Sequence, residues 1–141
     1  MKNALRLAVV VAILALAFFL INQSNFIENT FTSLDEVKAA RPGARAGVPD
    51  WLPASATGIV HVHNLDTWKS MVRFDMPENT AVAVPDQCRR IQASQLPAPP
   101  MSRDWWPKDI AHAAQSFFQC PNGQFVALSR TAGYIWGTPL R

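Results

Sequence analysis

A chain of 141 residues that is 49% apolar and only 16% charged, with 5 Trp and 8 Phe, is too aromatic and too sparsely charged to be disordered. Its length suggests one domain plus an appendage. The net charge of +3 comes from 13 Lys and Arg against 10 Asp and Glu, and without Lys2 and Arg6, which precede an apolar segment, 11 face 10. No dense basic stripe is left, which argues against nucleic acid as a partner; the Arg89-Arg90 doublet reads as a solvated face.

Leu7 to Ile21 is an unbroken apolar run, preceded by Lys2 and Arg6 and followed by Asn22, Gln23, Ser24 and Asn25. A bilayer needs about 20 residues; Ala4 and Leu5 lengthen the run, and Arg6 can snorkel to the interface. Residues 1–23 are therefore expected to be a transmembrane anchor. A cleaved signal peptide shares the basic start, but cleavage wants small residues at the exit, where Phe18, Phe19, Leu20 and Ile21 stand. No Cys follows the run, so lipoprotein processing is excluded. Basic flanks stay in the cytoplasm. The expectation is a single-pass protein of a bacterial inner membrane with its C-terminal domain in the periplasm.

Residues 24–50 are expected to form a helical stalk and linker. Ile27, Phe31 and Leu34 recur at helical spacing, Ser33 and Glu36 have capping-box spacing, and Pro42-Gly43 ends the helix. Residues 51–141 are expected to be the extracytoplasmic head. Ile59 to His63 alternate as a short strand, Asn64-Leu65-Asp66 turn, and Trp68, Ser70, Val72 and Phe74 form one face of a second strand. Pro85-Asp86 can start a short helix carrying Cys88 and Ile91, and the prolines of residues 94–107 indicate an extended surface loop.

The C-terminal third reads as an antiparallel meander. Ser116 to Cys120 is one strand, or alternatively the end of a helix from Pro107 through Ile110, Ala114 and Phe117. Pro121-Asn122-Gly123 is a hairpin turn, Phe125 to Ser129 the next strand, Ala132-Gly133 a turn, and Tyr134 to Trp136 the return. The fold class is α+β: a transmembrane helix, then a head with an antiparallel sheet of four or five strands and one or two helices. The only two cysteines, Cys88 and Cys120, fall in the exported part and are expected to form a disulfide. It closes a loop of about 33 residues and contributes roughly 3–4 kcal/mol.

The stretch from Val48 through Pro49, Trp51, Leu52, Pro53, Ser55 and Ala56 to Ile59 carries a signature P-x-W-L-P-x-S-A-x-x-I, with His63-Asn64-Leu65-Asp66-Thr67 a few residues on. In these residues the chain resembles small bacterial envelope-anchored proteins and lipoproteins of uncharacterised function. Trp68 stands where that pattern carries Asn, and Gly58 where Asp is more usual. The resemblance covers roughly residues 48–137; it implies a fold and an envelope location, and carries no catalytic residues across.

His61 and His63 lie two apart and share one face of their strand, so with Asp66 or His112 they are candidate ligands for a transition metal. The competing reading places both on the solvent face. Ser55, His63 and Asp66 have the residue types of a hydrolase triad but no nucleophile elbow. Trp105-Trp106 cannot easily both be buried on one face, which makes them a candidate interface; the competing reading has Trp105 capping the core and Trp106 on the loop. No motif calls for a cofactor. The expectation is a membrane-tethered, non-enzymatic module that binds an envelope protein, with a small envelope hydrolase or metal-binding enzyme as the alternative.

Overall fold

The computed structural model describes residues 2–23 and 25–137. Ser24, expected to open the stalk, and residues 138–141 at the end of the head lie outside them. The first element, α1 (Lys2–Gln23), contains a stretch, Ala4–Ile21, of mean hydropathy 2.8 whose side chains are not buried against the rest of the protein. At 1.5 Å rise per residue α1 spans roughly 33 Å, about the thickness of a hydrocarbon core. It is a candidate membrane anchor.

The expected helical stalk is a strand in its first half. Phe26–Ser33 form β1, only Leu34–Ala39 are helical (α2), and the sheet therefore starts at residue 26 rather than after residue 51. The reason lies in an ambiguous period. Ile27, Phe31 and Leu34 fit a helix, but Ile27, Asn29 and Phe31 also alternate, and tertiary pairing with His63, His61 and Ile59 selects the strand. The Ser33–Glu36 signal holds as the start of α2: Ser33 Oγ accepts from the Glu36 N–H at 3.3 Å. The Glu36 carboxylate turns back further, to the Thr32 N–H at 2.6 Å and the Thr32 hydroxyl at 2.8 Å.

The remaining strands are β2 (Thr57–Asn64), β3 (Ser70–Asp75), β4 (Arg89–Ile91), β5 (Ser116–Gln119), β6 (Gln124–Leu128) and β7 (Ala132–Gly137), with a short α3 at Ile110–Ala113 before β5. They make one antiparallel sheet of seven strands, ordered β1-β2-β3-β7-β6-β5-β4. The α+β class holds, with more strands than the expected four or five. Two of the extra strands come from misread segments. The expected stalk supplies β1, and the expected helix after Pro85 is a turn followed by β4. The Cys88–Cys120 disulfide forms and continues the β4–β5 ladder beyond Arg89 and Gln119. Ser116–Gln119 is a strand, and the competing helix shrinks to α3 ahead of it.

Gly133, which the sequence places in a turn, sits inside β7 opposite Phe74. A Cβ there would lie 2.2 Å from Phe74 Cζ, so only glycine lets the ring lie flat on the sheet. The turn comes earlier, where Ser129 Oγ accepts from the Ala132 N–H at 3.0 Å.

Both faces of the sheet are covered. On one, Phe31, Ile59, Val72, Phe74, Val126 and Ile135 pack under α2 and the segment around Leu52. On the other, Val62, Met71, Phe117, Ala127, Tyr134 and Trp136 pack under the proline-rich segment and Trp106. Coverage on both sides explains why β3 buries Met71 as fully as Val72, where the alternation of the sequence implied a half-buried strand. β3 also starts later than expected. Trp68 lies in the hairpin tip at φ 59°, 41% exposed, instead of facing inward from a strand.

Candidate functional site

Pairing register builds a polar cluster in the first core. His61 faces Asn29 of β1 on one side and Val72 of β3 on the other; His63 faces Ile27 and Ser70. Residues opposite each other in register share a face. Asn29, His61, His63 and Ser70 therefore come together beside Ile59. His61 is 0% exposed, His63 3% and Ser70 2%. This overturns the reading of both histidines as solvent-facing. Alternation identified their common face correctly but could not say that the face was covered.

The cover is the Pro-Gly segment read as a linker. A 3₁₀ turn at Pro42–Arg45 leads into Gly47, and Asn29 Nδ2 donates to the Ala44 carbonyl at 3.0 Å, pinning the segment over the cluster. Gly47 has φ +91°, and a Cβ there would sit 3.0 Å from Ser70 Oγ and 3.5 Å from His61 Nε2. The close approach and the positive φ both call for glycine.

The two imidazoles stack, their centroids 5.0 Å apart and their planes 23° from parallel. Burial holds His61 down at about 4, helped by the neighbouring His63, while the backbone of Ala46 and Ala44 opposes the shift. Burial lowers His63 as well. Both rings are neutral at pH 7. The Ala44 and Ala46 backbone favours the charged form by proximity, but neither ring nitrogen of His61 completes a hydrogen bond, nor does Nδ1 of His63. Buried polar atoms are normally paired, so three such nitrogens side by side are an anomaly of this core.

The other expected ligands lie elsewhere. Asp66 is exposed at the hairpin tip and accepts from Asn25 Nδ2. His112 is on α3, where Nδ1 meets the Asp109 carboxylate at 2.7 Å. Ser55 is exposed in the loop before β2. Among the described residues no group of three His, Cys, Asp or Glu converges to hold a metal ion. The pair offers two imidazoles and the neighbouring amide and hydroxyl of Asn29 and Ser70.

The tryptophan pair divides the opposite way to the reading with Trp105 on the core and Trp106 on the loop. Trp106 is the core residue, 7% exposed, with edge-to-face contacts to Tyr134 and Trp136 at 5.4 and 5.5 Å. Trp105 is the outer one and half-buried; its Nε1–H donates to Glu28 at 2.7 Å. Arg103 Nε donates to the same carboxylate at 2.9 Å, and the guanidinium lies over Phe26. Together Arg103 and Trp105 clasp the proline-rich segment to β1.

Two surface features had no clear sequence signal. The first is the outer edge of β1. The Leu65 N–H donates to the Asn25 carbonyl, so in an antiparallel ladder Ile27, Asn29 and Phe31 bond inward to β2. Phe26, Glu28, Thr30 and Thr32 then turn their backbone groups outward, as the Glu36 contact to the Thr32 N–H bears out. The second is the β2–β3 hairpin tip. Asn64 Oδ1 accepts from the Asp66 and Thr67 N–H groups at 2.9 and 2.8 Å, and the turn projects Leu65 and Trp68.

No curated protein and no solved structure matches the chain. A model of the YbbD head domain matches residues 26–75. Over that stretch, from the start of β1 to the end of β3, the chain is similar to that domain, and the match takes in Asn29, Gly47, His61, His63 and Ser70.

Proposed function

We propose that the protein is a membrane-tethered envelope module, with its head in the periplasm, that binds another envelope protein along the outer edge of β1. The observation that carries this reading is the contrast between the two edges of the sheet. The β4 edge is defended: three residues long, two of them Arg, and stapled by the disulfide. The β1 edge is eight residues long, with no Lys or Pro. Its only charge, Glu28, is already engaged by Arg103 and Trp105. Soluble proteins normally blunt such edges, because outward N–H and C=O groups template a further strand. Strand addition is a common mode of protein recognition, with backbone bonds supplying affinity. The similarity to the YbbD head domain, which begins at β1, is compatible with an envelope setting.

Thr30→Pro tests this. The Thr30 N–H points outward, so proline removes a docking donor without removing a bond of the sheet itself. Full-length protein purified from membranes is expected to carry a co-eluting partner that Thr30→Pro loses and His61→Leu keeps, with both variants folded and oxidised. A partner retained by Thr30→Pro would overturn the reading. The three unpaired imidazole nitrogens favour a second reading, a metal-binding or hydrolytic envelope protein using His61 and His63. It predicts the reverse: loss of function with His61→Leu and none with Thr30→Pro.

A further inference from the structure

We propose that the β2–β3 hairpin tip, Leu65 to Trp68, is a second membrane contact that seats in the headgroup region of the bilayer entered by α1. Outside α1, Leu65 and Trp68 are the exposed large hydrophobic residues among those described, at 42% and 41%. Both stand on one four-residue turn. Elsewhere among the described residues the head buries its large apolar side chains at least in part, four of the five Trp included.

The turn is also tied to the root of the anchor. The Leu65 N–H donates to the Asn25 carbonyl at 2.8 Å, and Asn25 Nδ2 donates to the Asp66 carboxylate. The apolar span ends at Ile21, four residues before Asn25. Four residues reach at most ~14 Å even when fully extended. Covalent continuity alone thus keeps the tip within ~14 Å of the end of the apolar span, beside the headgroup layer.

The side chains suit that layer. Tryptophan, with an apolar body and a polar N–H, is enriched at the membrane–water interface, and leucine partitions into the acyl boundary beneath it. Lys69, exposed at the end of the tip, can meet lipid phosphates. Trp68 adopts φ 59°, a left-handed conformation that bulky residues rarely take. Strain of this kind gathers at positions that do something besides hold the fold. A second contact on the same bilayer fixes the pose of the head and with it the height of the β1 edge.

This inference rests on the membrane-anchor reading, and the experiment separates the two. Full-length protein is reconstituted into phosphatidylglycerol–phosphatidylethanolamine vesicles whose lipids carry bromine at graded depths, and flotation is scored first. Trp68 emission is taken as the difference between wild type and Trp68→Phe. The expected result is flotation of both, with the Trp68 component blue-shifted and quenched at least twofold more by shallow than by deep bromines. Flotation without quenching of Trp68 would overturn the hairpin contact and leave the anchor standing. Failure to float would overturn the anchor and the contact with it. Leu65→Ser with Trp68→Ser is the second arm: it should float as wild type yet accelerate hydrogen exchange across residues 64–69 in vesicles, and unchanged exchange counts against the proposal.

Discussion

His61 and His63 stack face to face at 5.0 Å inside the sheet, with three of their ring nitrogens unbonded. A neutral pair is tolerated there; a charged one is not. Burial pushes His61 down to about 4 in the folded protein, against the ordinary 6.5 of an exposed imidazole. The unfolded chain therefore binds the extra proton first as pH falls. The His61 contribution is complete above pH 6.5 and is lost between 6.5 and 4, a change of about 3 kcal/mol. His63 acts in the same direction. Urea denaturation of the full-length protein at pH 7.5 and pH 4 measures it; a midpoint that does not move between them contradicts the assignment. His61→Leu should flatten the dependence. It should also raise stability at pH 7.5 by about 1–2 kcal/mol, because it removes two buried groups that have no partner.

The disulfide between Cys88 and Cys120 closes a separation of 32 residues at the β4 edge. Replacing both with Ser should lower unfolding free energy by roughly 3–4 kcal/mol. Non-reducing electrophoresis checks the bridge, and thermal melting with and without reductant checks its effect. Wild type should lose stability on reduction while the double variant does not respond.

Gly133 and Phe74 form a pair that tolerates change only together. Gly133→Ala puts a methyl group into the Phe74 ring and should destabilise by about 2–3 kcal/mol. In the background of Phe74→Leu the same change should cost less than half as much. A double-mutant cycle with no coupling energy would remove the flat-ring account of this glycine.

Trp68 is held at φ 59°. Trp68→Gly should relieve about 1 kcal/mol of that strain relative to Trp68→Ala, which also lacks the indole, and should melt at the higher temperature of the two in detergent. Equal melting temperatures would mean that φ 59° carries no strain there.

Several features were legible in local sequence because local physics sets them. The candidate anchor helix follows from an apolar run with basic residues before it. The start of α2 follows from the spacing of Ser33 and Glu36, and the β5–β6 hairpin from Pro121-Asn122-Gly123. β1 was not legible, since a window holding Ile27, Asn29, Phe31 and Leu34 satisfies a period of 3.6 as well as a period of two. The partner strand β2 breaks the tie. Gly133 could not be told from a turn glycine without Phe74 opposite it, and β4 is too short to announce itself.

For the candidate site the division is similar. The alternation of residues 59–63 placed His61 and His63 on one face. That the face is the inside of a core depends on residues 42–48 folding back over it, a long-range event with no local signature beyond Pro42, Gly43 and Gly47. The same holds for Trp105 and Trp106, where adjacency required opposite fates and only contacts with Tyr134, Trp136 and Glu28 assigned them. The apolar α1, the Cys88–Cys120 bridge and the α+β composition thus belong to hydropathy, cysteine placement and turn chemistry, which act over a few residues. The open β1 edge, the buried imidazole pair and the exposed Leu65–Trp68 tip belong to strand order, because edge, inside and outside are properties of the assembled sheet.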